Sequence, residues 1–400
     1  MSDKEIFIPP WEMHDLKRVR KLNLNKLETP CYVVDEDSLE RNLKILASVK
    51  KRTGCKILLA QKGFSSFHYY PLIRKYLDGV CASGIFEAKL GREEFKKEIH
   101  IYGPAYSDKD FNQLLKISDH IILNSFSQLE RFKPLMKKAK NVEFGIRINP
   151  EYSEIECDMY NPAGKMSRFG LKSYELKDKD LSIISGIHFH VLCEENSDTL
   201  ERVLKHVEEK FGEYISLPNI KWVNFGGGHH ITRNDYDVEK LVTLVNDFKK
   251  KYKKQVILEP GEAVALNAGL LVASVIDIKK MSFGVDVVIL DMSASNHVPD
   301  VIEMPYRPTI IEASAPGKQK FTYRLGGPTC LSGDVIGDYS FEKPLVVGQK
   351  LIFCNMAIYT MVKNNTFNGV GLPSIYNYKK SGQIKLVKKF GYKDFKERLG

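Results

Sequence analysis

Only two of the 400 residues are tryptophan, and no apolar run approaches the ~18 residues a membrane helix needs. A membrane-spanning protein is therefore not expected. The seven cysteines form no Cys-x-x-Cys pair. An odd, scattered set argues against a zinc pattern or a disulfide framework, and for reduced thiols in a cytoplasmic protein. The opening residues, Met1-Ser-Asp-Lys-Glu5, carry acids and no long apolar stretch, unlike a secretory signal.

Lysine is what the chain has in excess, giving a formal charge of +10. The lysines are spread out, with only short clusters such as Lys249-Lys-Lys-Tyr-Lys-Lys254. That spread reads as solvated helix faces, not as a nucleic-acid footprint. A hydrophobic content of 43% supports a large core. The length suits a β/α barrel of roughly 250 residues plus a smaller domain.

Two stretches organise the rest. Val256-Ile-Leu-Glu-Pro-Gly-Glu-Ala263 reads as a buried strand with Glu259 at its C-terminal tip and a turn at Pro260-Gly261. Ile57-Leu-Leu-Ala-Gln-Lys62 has the same form but delivers a lysine. Between them lie strand-like runs at Gly79–Ser83, Ile99–Gly103, His120–Asn124, Val142–Ile148, Ile183–Val191 and Lys221–Phe225. Helical stretches such as Gln128–Ala139, Ser197–Tyr214 and Val238–Tyr252 separate them. The alternation predicts an α/β fold, an eight-stranded parallel β/α (TIM-like) barrel. From about Asn267 the pattern becomes strands and turns, which predicts a C-terminal antiparallel β-barrel domain. The expected division is an N-terminal extension (1–28, with Pro9-Pro10-Trp11), a strand region joining the β domain (29–37), the barrel (38–266), the β domain (267–378) and a basic tail (379–400).

In such barrels the strand tips carry the chemistry. Here they bring Lys62, Arg147, His188 and His190, Gly226-Gly227-Gly228, Glu259 and Glu262. An amine and a carboxylate at barrel tips are the minimum equipment for pyridoxal phosphate: a lysine for the Schiff base and an acid for the pyridinium nitrogen. Three successive glycines let backbone N–H groups approach a phosphate, although a plain tight turn accounts for them equally. His188 and His190 alternate on one strand, so both imidazoles face one side. No acid or cysteine stands at a supporting spacing, so no metal is expected; an imidazole stacked on a flat cofactor is the better functional reading, and a hydrogen-bonded core histidine is the alternative. In the β domain, Gly326-Gly-Pro-Thr-Cys-Leu-Ser-Gly-Asp334 places a thiol and an acid on one loop, and Tyr359 with Thr366-Phe-Asn-Gly369 forms a second polar cluster.

Together these motifs resemble the ornithine/diaminopimelate decarboxylase family of pyridoxal phosphate enzymes. The signals are Ala60-Gln-Lys62, His188-Phe-His-Val-Leu-Cys-Glu194, Glu259-Pro-Gly-Glu-Ala263, His297-Val-Pro-Asp300 before Met304-Pro-Tyr-Arg307, and Gly327-Pro-Thr-Cys-Leu-Ser-Gly-Asp334. Within the family the likeness is greatest to the decarboxylases of carboxylated polyamines. The resemblance makes Lys62 the Schiff-base lysine and His190 the residue stacked on the ring. Gly226, Gly227, Gly228 and Tyr359 match phosphate-binding positions. Arg147 matches an arginine near the phenolic oxygen, and Glu259 the pyridinium partner. Cys330 and Asp334 match a loop contributed by a second subunit, which implies a homodimer with shared sites, and Cys330 is the candidate to assist protonation of the former α-carbon.

Ornithine and diaminopimelate decarboxylases usually carry arginine where this chain has Glu262, and commonly serine or glycine near Cys193. An acid there suits a small cationic amino-acid substrate with distal ammonium groups, bound by Glu262, Asp300 and Asp334. The expected reaction is decarboxylation of carboxynorspermidine or carboxyspermidine to norspermidine or spermidine. The alternatives are a diaminopimelate or other amino-acid decarboxylase of the same fold, and a non-catalytic relative that binds the cofactor or regulates polyamine enzymes.

Overall fold

The computed structural model describes residues 16–155, 157, 159–304 and 306–400. Pro9-Pro10-Trp11 lies outside them. The chain forms two compact units: Glu40–Val264, and Ala265–Gly400 with the residues up to Leu39. Strand β1 (Cys31–Asp35) belongs to the second unit. The helix Glu36–Thr53 then leads into the first. Glu36 and Asp37 in its first turn and Lys50, Lys51 and Arg52 in its last complement the helix dipole.

The first unit closes as a barrel of β2 (Lys56–Ala60), β3 (Gly79–Ala82), β4 (Glu98–Tyr102), β5 (His120–Leu123), β6 (Glu143–Arg147), β7 (Gly186–His188), β8 (Trp222–Asn224) and β9 (Gln255–Leu258). All neighbours pair in parallel, and β2 meets β9 to complete the ring. The strands are short apolar runs because helices cover their outer face while the barrel interior takes the other. The long helices Ser197–Ile215 and Val238–Tyr252 are capped by Asn196 and Asp237, whose side chains accept backbone N–H groups. One difference from expectation is β7. It ends at His188, so His190 lies past the strand and is not governed by its alternation.

The barrel floor is filled by one large side chain. Trp222 spans the interior, and a Cβ at Gly186 would stand 2.1 Å from its ring and one at Gly145 2.3 Å away. Small residues on β6 and β7 therefore make room for the indole on β8. His100 and His120 stack at 3.8 Å, and His120 lies 4.9 Å from the Trp222 ring.

The second unit holds β10 (Gly269–Lys279), β11 (Asp286–Leu290), β12 (Ala313–Ser314), β13 (Phe321–Gly326), β14 (Val335–Phe341), β15 (Lys350–Cys354), β16 (Ser374–Tyr378) and β17 (Ile384–Lys388). With β1 they form a nine-stranded sheet. It is mixed, not wholly antiparallel: β1 runs parallel to β16 and β11 parallel to β13. Parallel pairing is open to these partners because no tight turn has to join them. Residues 379–400 are more than a loose tail, since β17 pairs with β16 and a helix spans Tyr392–Glu397. Before β1, Val19, Leu22 and Leu27 are buried in this unit's core, and Arg18 pairs with Asp35 at 2.6 Å. Among the described residues no helix is long and apolar enough to cross a membrane.

Candidate active site

The tips of β2 and β9 are tied together. The Ala60 N–H donates to Pro260 O at 3.0 Å, and a Cβ on Gly63 would stand 3.0 Å from the Gly261 backbone. Gln61 is buried, donates to Glu87 O at 2.8 Å and accepts from the Tyr70 hydroxyl at 2.8 Å. Lys62 therefore leaves a fixed backbone, and its Nζ lies 3.5 Å from His190 Nε2.

His190 is held by the glycine loop after β8. The Gly227 N–H donates to its Nδ1 at 2.7 Å, so the ring proton sits on Nε2, toward Lys62. Burial, and then the nearby Lys62 and Arg147 charges, hold its pKa well below the usual histidine range, so the ring is neutral. The loop needs glycine. Gly226 and Gly228 have φ of +70° and +82°, and a Cβ at Gly228 would sit 2.0 Å from Leu192 O.

Glu259 is buried at the end of β9. It accepts from Asn224 Nδ2 at 2.6 Å and faces His188 Nε2 at 3.3 Å. Burial alone would raise its pKa, but the His188 and Asn224 contacts win and hold it down to about 2. Burial lowers the His188 pKa, so that imidazole is a neutral donor. Glu259 is thus a buried anion to which His188 and Asn224 bring no charge. Such a group retains capacity for a cationic partner, and a protonated pyridine nitrogen fits. Arg147 is buried, donates to His190 O at 2.9 Å, and stacks over Tyr102 and Phe169 at 4.4 and 4.7 Å. Its guanidinium adds a fixed positive charge at the same mouth.

Glu262 turns toward His230, with Oε2 and Nε2 3.0 Å apart. Burial would lower the His230 pKa, but the Glu262 carboxylate overrides it and the net shift is upward. Donor atoms of Glu194, His230 and Glu262 lie within 4.8 Å of one another. His188 and His190 do not share a ligand point: one faces Glu259 and the other Lys62.

The predicted residues of the sheet unit differ among themselves. Cys330 is exposed, and its backbone N–H donates to Asn368 Oδ1 at 2.7 Å. Asp334, expected to face substrate, is buried, and its oxygens accept from Ser293 Oγ, the Ala294 N–H and Thr329 Oγ1 at 3.0, 2.7 and 2.6 Å. Its carboxylate already has protein donors that fix its own loop. Asp300 and Glu303 are paired with Lys363, so Asp300 too has a protein cation. Tyr359 is partly exposed, with φ of +47°.

Sequence reasoning missed Asn224 and the pairing of His230 with Glu262. Asn224 carried a usable signal, a carboxamide inside the apolar run Trp222-Val-Asn-Phe225. His230 carried none, because its partner lies 32 residues away.

A lysine, a histidine and a buried glutamate at the tips of a parallel barrel, in a chain that also carries a β-sheet unit, define a class of cofactor-dependent lyase. Comparison with known proteins gives the family. The family described as "Pyridoxal-dependent decarboxylase, C-terminal sheet domain" matches residues 31–357, and the chain belongs to the pyridoxal-dependent decarboxylases. Its cofactor is pyridoxal phosphate. The chain is 43% identical over 384 residues to a carboxynorspermidine/carboxyspermidine decarboxylase of Campylobacter jejuni, covering 93% of this chain and 99% of that one. It is 41% identical to a carboxyaminopropylagmatine decarboxylase of Synechocystis, covering 94% and 97%. The crystal structure of carboxynorspermidine decarboxylase from Campylobacter jejuni, complexed with norspermidine, superposes with a TM-score of 0.86 at 42% identity over 93% of this chain and 100% of that one.

Proposed function

We propose that this enzyme decarboxylates carboxynorspermidine or carboxyspermidine, releasing CO₂ and norspermidine or spermidine. The observation that carries the reading is the 43% identity over 93% of the chain to an enzyme of that name; the acid Glu262, where the family resemblance leads one to expect arginine, agrees with it. A carboxylate beside the tips favours a substrate bearing distal ammonium groups and disfavours the distal carboxylate of diaminopimelate.

Lys62 would hold the cofactor covalently through its amine. Glu259 would keep a proton on the ring nitrogen, His190 would lie against the ring face, and Arg147 would stand near the phenolic oxygen. The N–H groups of the Gly226–Gly228 loop, with Tyr359, would take the phosphate. Bound pyridoxal phosphate supplies an electron sink for the pair left when the carboxylate departs. The substrate loses CO₂ and gains one proton at the former α-carbon, so atoms and charge balance without an external oxidant or reductant. Cys330 delivers that proton from a loop of the second subunit, in a homodimer with shared sites. The fixed neutral state of His190 matters here: an imidazolium at that position would oppose proton retention on the ring nitrogen.

The test is product analysis with the purified protein on carboxynorspermidine, carboxyspermidine, carboxyaminopropylagmatine and diaminopimelate. Turnover of the first two at least tenfold more efficiently than the others supports the proposal. A preference for carboxyaminopropylagmatine or diaminopimelate overturns it. Mixing inactive Lys62→Ala with inactive Cys330→Ala subunits restores activity if the sites are shared, and an active monomer in light scattering refutes the dimer.

A further inference from the structure

The barrel mouth carries one pairing that holding the cofactor does not use. Glu262 opens the short helix Glu262–Ala265, just past the tip of β9. Its backbone packs against the lysine tip: a Cβ on Gly63 would stand 3.2 Å from the Glu262 N. Its side chain reaches the same place. Burial pushes the Cys193 thiol up to about 12, and the charges of Glu262 and Lys62 both act on it, so acid and amine stand close to one neutral thiol. A glutamate has three rotatable bonds, and its carboxylate meets a ligand in one orientation only if another group holds it.

His230 supplies the hold. It is buried, and its Nε2 lies 3.0 Å from Glu262 Oε2. Its own backbone is tied on both sides: the N–H donates to Glu195 O at 3.2 Å, and the O accepts from the Arg233 N–H at 2.8 Å. Two residues on, Thr232 Oγ1 donates to Ala263 O at 2.6 Å, which fastens this loop to the helix that Glu262 opens. The Arg233 guanidinium donates to Glu194 O at 3.0 Å and stands 3.5 Å from His230 Nδ1. Arginine can only donate, so Nδ1 of the neutral ring is the acceptor and Nε2 carries the proton. Nε2 carries one in the imidazolium as well, so Oε2 accepts from His230 in either charge state. The contact occupies a single carboxylate oxygen. Asp334, by contrast, accepts on both of its oxygens and serves its own loop.

We propose that His230 is a positioning residue for substrate recognition: by taking Oε2 of Glu262 it presents Oε1 to a distal ammonium of the substrate. The inference rests on the reading of Glu262 as the acid that receives that ammonium. His230 acts through Glu262 and touches no reacting atom. Its loss therefore weakens binding of substrate and transition state alike, which raises KM and spares kcat.

The test is steady-state kinetics of the holoenzyme on carboxynorspermidine, for the unmutated protein, His230→Leu, Glu262→Gln and the double variant. His230→Leu is expected to raise KM about tenfold, with kcat within about threefold of the unmutated value. In the Glu262→Gln background the same substitution costs less than about threefold more, because the group it positions has gone. His230→Gln, whose amide N–H takes the place of Nε2, recovers most of the loss. Should His230→Leu fail to fold, His230→Asn replaces it, with an amide too short to reach Oε2. An unchanged KM in the variant that lacks the donor, a loss confined to kcat, or full additivity in the double variant overturns the role of His230. No turnover of carboxynorspermidine by the unmutated protein refutes instead the substrate reading on which it rests.

Discussion

The two ends of the barrel both place histidines against carboxylates but surround them differently. At the mouth, His190 is fixed by the Gly227 N–H and turned toward Lys62, and His188 faces a carboxylate that stays ionised. At the floor, His100 and His120 stack on each other beside Trp222; an unpaired Nδ1 does not set this end apart, since His188 at the mouth has one too. The mouth spends its polar groups on orienting one amine and one acid. The floor spends its volume on closing the barrel. Function and stability therefore separate along the barrel axis, and substitutions should sort by end.

The largest expected effect is at the mouth. Lys62→Ala should lower turnover by at least about a thousandfold and remove the visible absorbance of the bound cofactor, because it removes the amine of that tip. Its urea midpoint should stay close to that of the unmutated protein. Near-normal turnover in the purified variant would sink the assignment of the lysine.

At the floor the order reverses. Gly186→Ala puts a Cβ 2.1 Å from the Trp222 ring, a clash with a rigid indole. Overpacking of this kind costs about 1–3 kcal/mol or more, read as a lower urea midpoint at unchanged slope. The fraction that folds should keep its turnover number, and a loss of kcat without loss of stability would break the separation of the two ends.

Returning to the mouth, Glu262→Gln should cost about ten- to a hundredfold in kcat/KM on the carboxylated triamine, with cofactor absorbance retained. Asp300→Asn should cost severalfold less than that, because Lys363 already shares the carboxylate. If both variants match the unmutated enzyme on carboxynorspermidine, the polyamine reading of these acids fails.

The smallest effect is a pH slope. His120 titrates near 6.5 in the unfolded chain but at about 2 when folded. Its folded pKa is depressed, so as pH falls below about 6.5 the unfolded state gains a proton that the native state refuses. Stability is then lost toward acid by up to about 1.4 kcal/mol per pH unit from this group. Glu259, depressed to about 2 in the folded protein, adds loss in the same direction below about pH 4.5. Urea midpoints measured from pH 7 to 5 should fall less steeply for His120→Gln, and an unchanged slope would mean that His120 is not the titrating group.

Much of this could be read without coordinates. Lys62, Glu259 and the Gly226–Gly228 run announce themselves because each follows a short apolar run, and the residues just past such a run sit at the barrel mouth. The eight barrel strands were legible for the same reason. The sheet unit was less so: Val335–Phe341 and Ile384–Lys388 carry polar and charged residues in their runs, and neither shows the continuous hydrophobicity of a strand covered on both faces. The loop motif that marks Asp334 cannot register that five residues away Thr329 turns back to donate to it.

What the sequence by itself determined is therefore local. Apolar runs make the strands, the residues just past them make the tips, and the glycine triplet lets the backbone take φ values other residues avoid. Only the tertiary structure decided which tips meet. His190 was bound to Gly227, Glu259 to Asn224 and His230 to Glu262 across 37, 35 and 32 residues. Each of those contacts depends on the stagger and closure of the barrel, a property of all the strands together, so no window of sequence contains it.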